Sequence, residues 1–311
     1  MTSALRASRG WAAATVVSLV LVAAAPDACA QELEPRAYVN TPTGVNFLIV
    51  GYGYSQGGVV TDASVPVEDA EIRVHGVFLA YARSLDFWGR SGKFDVVLPY
   101  ASVSGTGEVS GESREREVSG LGDAKLRVSM NLYGAPALSL QEFADYTPDV
   151  IIGASLQVSV PLGQYDSEKL INVGTNRWSV KPELGVSKAW GRWTTELAAS
   201  VILFTANHDF LGGKTRAQDP IYSLQGHVIY GFQSGIWMAV DGTYYAGGRT
   251  TIDGVKSNDL QANTRVGVTL ALPVDRHQSV KLYASHGVST RIGSNFTVVG
   301  IAWQFRWGGG I

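Results

Sequence analysis

Between Gly120 and Leu132 the chain alternates without a break. Asp123, Lys125, Arg127, Ser129 and Asn131 share one parity; Ala124, Leu126, Val128, Met130 and Leu132 share the other. A strand sends successive side chains to opposite faces, so this segment has one apolar wall and one charged wall. The pattern returns in 153–160, 177–186 and 260–270, and in the last strand as Val299, Ile301, Trp303, Phe305 and Trp307 on one face. Strands are predicted at 44–55, 70–84, 92–103, 121–133, 149–161, 177–190, 192–206, 220–232, 235–247, 258–272, 278–288 and 294–307. Most exceed the roughly 9–11 residues that cross a bilayer at a tilt and the five or six typical of a globular sheet. The first two strands and 235–247 alternate less regularly, so their registers stay open.

A soluble sheet turns its apolar face inward, whereas a membrane barrel turns it toward lipid and keeps the polar face for the lumen. The connections favour the barrel. Those at 86–91, 190–192, 233–235 and 273–278 are short. Those at 56–69, 104–119, 162–176, 207–219 and 248–257 are long, polar and on the alternate side. Short periplasmic turns and long outer loops are the outer-membrane arrangement. The connection 134–148 breaks the rule, being long on the short side, and is expected to form a brief helix at the periplasmic mouth. The fold expected is all-β: a transmembrane antiparallel up-and-down β-barrel of about 12 strands.

Tryptophan supports the same orientation. Trp88, Trp190, Trp193, Trp237, Trp303 and Trp307 fall at or beside the predicted periplasmic turns. Indole prefers the membrane–water interface, and core filler has no reason to gather there. Tyr52, Tyr54, Tyr100, Tyr222 and Tyr244 are candidates for the opposite girdle.

Arg6 and Arg9 precede an apolar run from Trp11 to Ala25 and a small-residue site ending at Ala30. This reads as a signal peptide over 1–30, with the barrel domain over 31–311. Cys29 raises lipidation as an alternative, which Pro26 and Asp27 disfavour. The mature chain then has no cysteine, so a large core or a closed hydrogen-bond network must hold it. Removing Arg6, Arg9 and Asp27 leaves 23 basic and 26 acidic residues, a net charge of −3. That balance points to no nucleic-acid partner. The expected partners are outer-membrane lipid, small-molecule solutes and the outer-membrane assembly machinery.

A set of short motifs runs in order through nearly all of the mature chain. It begins with Leu98-Pro99-Tyr100, a polar loop and Ser119-Gly120-Leu121-Gly122-Asp123. Val160-Pro161-Leu162-Gly163-Gln164-Tyr165-Asp166 and Asn172-Val173-Gly174-Thr175-Asn176-Arg177-Trp178 follow, then Gly247-Gly248 and Ser289-Thr290-Arg291-Ile292-Gly293. In this the chain resembles the outer-membrane barrels assigned to the meta pathway of phenol degradation, often called simply transporters. The resemblance implies an outer-membrane location, a barrel fold and passage of small hydrophobic or aromatic compounds. Leu162 departs from the Pro-Thr-Gly common in that family.

Little in the sequence suggests catalysis. His75 and His227 are expected to face the lumen, while His208 and His277 fall in a loop and a turn. No Gly-x-Ser-x-Gly elbow accompanies any of the histidines, as a hydrolase nucleophile would require. Asn207-His208-Asp209 is a weak metal candidate, and no cofactor or catalytic residue is assigned. The polar parity instead suggests a lumen lined by Arg73, Lys93, Asp95, Asp123, Lys125, Arg127, Lys181, Glu183, Glu196, Asp241, Arg265 and Lys281. Two readings of these charges stay open: a mutually neutralising network that braces a narrow barrel, or pore-lining groups that shape selectivity. The leading function is a narrow or partly plugged channel for small, hydrophobic or aromatic molecules. The alternatives are a structural or surface-display barrel without conduction and, third, a barrel-embedded lipid hydrolase or acyltransferase.

Overall fold

The computed structural model describes residues 34–60, 68–109, 112–291 and 293–311; the predicted signal peptide lies outside them. The strands are β1 (Val45–Val60), β2 (Glu68–Phe87), β3 (Arg90–Val109), β4 (Glu112–Leu121), β5 (Ala124–Tyr133), β6 (Val150–Val160), β7 (Ser179–Trp190), β8 (Trp193–Phe204), β9 (Asn207–Phe210), β10 (Lys214–Gln218), β11 (Ile221–Gly231), β12 (Trp237–Gly247), β13 (Thr250–Ile252), β14 (Val255–Lys256), β15 (Gln261–Pro273), β16 (Gln278–Thr290) and β17 (Gly293–Gly308). The principal sheet runs β2-β1-β17-β16-β15-β12-β11-β8-β7-β6-β5-β3 and closes through β2–β3 pairing. Because β4 continues β5 alongside the outer half of β3, the wall holds twelve strand positions, all antiparallel. Closure pairs the twelve positions round the ring, the condition for spanning lipid with strands, while β4 itself pairs on one side, with β3.

Each predicted strand is present within a few residues of its expected ends, except that the first three reach further outward. Three of the long loops carry structure of their own. The expected loop 104–119 is taken up by the outer end of β3 and by β4, which pair as a hairpin. Residues of 207–219 and 248–257 form β9, β10, β13 and β14, a separate four-stranded sheet on the outer side. The irregular 134–148 connection holds the expected short helix, α1 (Leu140–Phe143). A capping box starts it: the Glu142 amide donates to Ser139 Oγ at 3.3 Å and the Ser139 amide to Glu142 Oε2 at 2.8 Å.

The outer surface is an apolar band. Leu79, Leu98, Leu126, Val128, Leu156, Leu184, Leu197, Val240, Val268 and Ile301 all stand exposed on it. Trp88, Trp190, Trp193, Trp303 and Trp307 are exposed at the periplasmic end, with Tyr52, Tyr100, Tyr222 and Tyr244 exposed at the other. An apolar belt between two aromatic girdles on a closed barrel places the protein in the outer membrane. Trp237 is the exception to the girdle. It lies on the inner face of β12, 1% exposed, packed with Ile229, Ala239 and Ala271. The parity of 235–247 is therefore opposite to that of an interface tryptophan.

The inner face is not uniformly polar. On β1, β2 and β17 the inward residues include Val45, Phe47, Ile49, Val74, Phe78, Ala80, Phe296, Val298 and Ala302, all buried. Here both parities are apolar, so hydrophobic alternation carries no register information. That is why Arg73 corrects the sequence reading. It occupies the outward parity of β2, its side chain 56% exposed and paired with Glu71, because Val74 and Phe78 take the inner positions. His75 shares that outward parity and meets the Tyr52 hydroxyl at 2.8 Å; it does not face the lumen.

Candidate functional site: the lumen and its N-terminal segment

The charges assigned to the polar parity, Arg73 apart, are brought inside the wall. They do not form one ring. Asp123 sits at the bulge between β4 and β5 and fastens the 162–176 loop, accepting from the Gly163 amide at 3.0 Å, the Thr175 amide at 2.9 Å and the Thr175 hydroxyl at 2.6 Å. Ile171 and Val173 of that loop pack inside the barrel against Val74, Ala101 and Val103. Arg265 also stands toward the outer end and donates to the Phe296 carbonyl at 2.7 Å and the Ser285 hydroxyl at 3.2 Å. Lys125 is buried on the inner face of β5.

The remaining charges surround a feature not foreseen in the sequence: residues 34–44 run inside the barrel. Glu34, Tyr38, Asn40 and Thr41 are each at most 4% exposed. Arg127 joins Glu34 Oε2 at 2.5 Å through Nη1 and Asp95 Oδ2 at 3.1 Å through Nε. Lys93 Nζ donates to the Ala37 carbonyl at 2.8 Å. The Arg36 amide donates to Glu196 Oε2 at 2.6 Å, and Ser187 donates to Glu196 Oε1 at 3.1 Å. The Tyr38 hydroxyl donates to Glu183 Oε1 at 2.9 Å, while Lys181 holds Glu183 Oε2 at 3.2 Å. Arg36 and Lys281 both stand over the Trp237 ring, at 5.3 and 5.9 Å from its centroid.

A second pair closes the belt. His227 Nδ1 lies 2.7 Å from Asp241 Oδ1, and Thr269 donates to Asp241 Oδ2 at 3.0 Å. His227 and Asp241 are direct partners across the hairpin that turns at 233–235, so this contact follows from that register alone. On its other side His227 faces Glu196.

Opposite charges are paired, as a bracing network requires, and the pairs also hold a segment of the chain in the lumen. Charges buried at this depth persist only with partners, which accounts for the alternation of signs around the belt. The sequence signal for the segment was slight. Glu34, Arg36 and Tyr38 form a short polar stretch between the predicted cleavage site and β1, too short to show periodicity. At the periplasmic mouth the 134–148 connection supports it: the Thr43 amide donates to the Leu138 carbonyl at 2.8 Å and Asn40 Nδ2 to the Pro136 carbonyl at 3.1 Å. Among the described residues no group of His, Cys, Asp and Glu could hold a metal ion, the 207–209 stretch included.

The family described as "Putative MetA-pathway of phenol degradation" matches residues 50–304. This chain belongs to that family. The match spans the barrel from β1 to β17 and leaves the N-terminal segment just outside it. The fold is similar to that of the COG4313 outer membrane channel from Pseudomonas putida F1, with a TM-score of 0.76 and 22% identity over 89% of this chain and 100% of that one. It is more distantly similar to the transport unit of the autotransporter AIDA-I from Escherichia coli, with a TM-score of 0.52 and 10% identity over 84% of this chain and 90% of that one. No curated protein matches the chain. These similar solved structures are transport barrels rather than enzymes.

Proposed function

We propose that this protein is a passive outer-membrane channel for small, hydrophobic or aromatic molecules. The observation that carries the reading is the inner apolar strip on β1, β2 and β17, from Val74 and Phe296 toward the outer end to Phe47 and Val45 at the periplasmic end. A lumen serving only hydrated solutes gains nothing from such a strip; its residues are covered in this structure, so a solute with an apolar body follows it once the packing over it parts. On this reading Lys93, Asp95, Lys125, Arg127, Lys181, Glu183, Glu196, Asp241 and Lys281 form the opposing polar wall of the route and set its selectivity. Asp123 and Arg265 shape its outer entrance. The mixed signs suit weak ion preference. The outer belt contacts lipid, and the aromatic final strand is the element offered to the assembly machinery.

The occupied lumen favours a second reading, a closed structural barrel. A barrel enzyme is disfavoured because the groups flanking His227 are Asp241 and Glu196, not a hydroxyl nucleophile. Solute flux into liposomes separates the first two. The channel reading expects uptake of small aromatic compounds above protein-free vesicles; uptake equal to that of empty vesicles refutes it.

A further inference from the structure

Gly153 of β6 and Gly185 of β7 are direct cross-strand partners on the inner face of the wall. The Tyr38 ring rests on both. A Cβ at Gly153 would stand 2.1 Å from Tyr38 Cδ1, and one at Gly185 would stand 2.2 Å from Cε2. Any other residue at either position would therefore evict the ring. One step along the same two strands, Ser155 and Glu183 are the next inward partners. The hydroxyl lands there, 2.9 Å from Glu183 Oε1 and 3.5 Å from Ser155 Oγ. Ile151, Ala135 and Ala198 complete the surroundings. The wall thus has a flat floor for one aromatic ring and a buried, charged acceptor for a hydroxyl at its end.

The occupant is itself a phenol. It sits on a segment that joins no strand between Glu34 and Gly44. The segment is tied to the wall by a few side-chain bonds from Arg127, Lys93, Glu196 and Glu183. A strand-paired element would give up a ladder of backbone bonds on leaving; around Tyr38 this one is held to the wall by side-chain bonds, and backbone-to-backbone bonds fasten it at Thr43 and Gly44.

Resting on the channel reading above, we propose that the Gly153–Gly185 floor with Glu183 is a binding site for small phenols, occupied in this structure by the chain's own Tyr38. A free para-substituted phenol competes with Tyr38 for the floor and the carboxylate. When the solute takes the site, Tyr38 leaves it and the N-terminal segment loses its central anchor. A solute of the same shape without the hydroxyl lacks the bond to Glu183 and competes poorly, since a buried acceptor left unpaired costs free energy.

The test uses the full mature chain in detergent, with 4-methylphenol as probe and toluene as its hydroxyl-free counterpart. Tyr38→Ala vacates the floor, so 4-methylphenol should bind this variant at least about tenfold tighter than wild type, the occupied fraction no longer being subtracted. Toluene should gain by a similar factor, since the floor is vacated for it too, but should bind Tyr38→Ala at least about tenfold more weakly than 4-methylphenol, lacking the bond to Glu183. Adding Gly153→Val to Tyr38→Ala should abolish the gain. Should that double variant fail to fold, Tyr38→Ala/Glu183→Gln keeps the floor and should lose most of the preference for 4-methylphenol over toluene. Equal affinity of wild type and Tyr38→Ala for 4-methylphenol overturns the proposal, as does equal affinity of Tyr38→Ala for toluene and 4-methylphenol. Liposome flux with the wild-type protein distinguishes the two levels. Flux of small aromatics without the Tyr38→Ala gain removes the phenol site and leaves the channel standing; no flux of any aromatic removes the channel reading itself.

Discussion

Arg127 binds Glu34 and Asp95 at once, so the guanidinium that neutralises a wall carboxylate also holds the inserted N-terminal segment. The two acids come from opposite sides of a structural divide. Asp95 belongs to β3 and is fixed by the barrel; Glu34 belongs to a stretch with no strand pairing.

Arg127→Ala should therefore act in two ways. Removing one partner from a buried ion cluster leaves the others uncompensated, a loss of about 3–5 kcal/mol in such settings, readable as a lower urea midpoint in detergent. It should also free the segment, raising the ion conductance of reconstituted barrels. Glu34→Gln should raise conductance with a much smaller effect on the midpoint, because Asp95 still neutralises Arg127. Unchanged conductance in both variants would show that the segment does not obstruct the lumen.

Asp123 makes three hydrogen bonds to the 162–176 loop. Asp123→Ala should release that loop while leaving the strands paired. Amide exchange at Gly163 and Thr175 should accelerate at least about tenfold, since hydrogen bonds to a charged group contribute roughly 1.5–3 kcal/mol each. Exchange within β6 and β7 should stay as in wild type.

The inward face of Trp237 predicts a spectroscopic contrast. Brominated lipids should quench Trp193, Trp303 and Trp307, which stand exposed on the outer girdle, and should leave Trp237 emission unaffected. Single-tryptophan variants in brominated vesicles would show this directly. Strong quenching of Trp237 would reverse the register of β12.

At the periplasmic mouth, the amide and hydroxyl of Ser139 hold the Glu142 carboxyl below the ordinary glutamate range. A carboxylate with a lowered folded pKa stabilises the fold above its unfolded pKa, and this is lost as pH falls through the folded value. The capping box of α1 should therefore persist at neutral pH and fray only as pH falls below the ordinary glutamate range. Amide exchange at Ser139 and Glu142 should rise there, and Glu142→Gln should remove the pH dependence.

Strand number, direction and membrane orientation are legible in the chain because alternation has a period of two and one face must meet lipid. Residues 121–133, 177–190 and 258–272 needed nothing beyond that rule. It failed for Arg73, His75 and Trp237, in strands where both parities carry apolar residues and either face could meet lipid. The content of the lumen follows from folding and not from alternation. Closing the wall brings Glu34, Asp95, Arg127, Glu183 and Glu196 together from five separate segments. Alternation marks which side chains could turn inward. Which of them meet, and that Tyr38 lies among them, depends on barrel closure and on a segment whose place is set by charge pairing and ring packing, forces that leave no periodic mark on the chain.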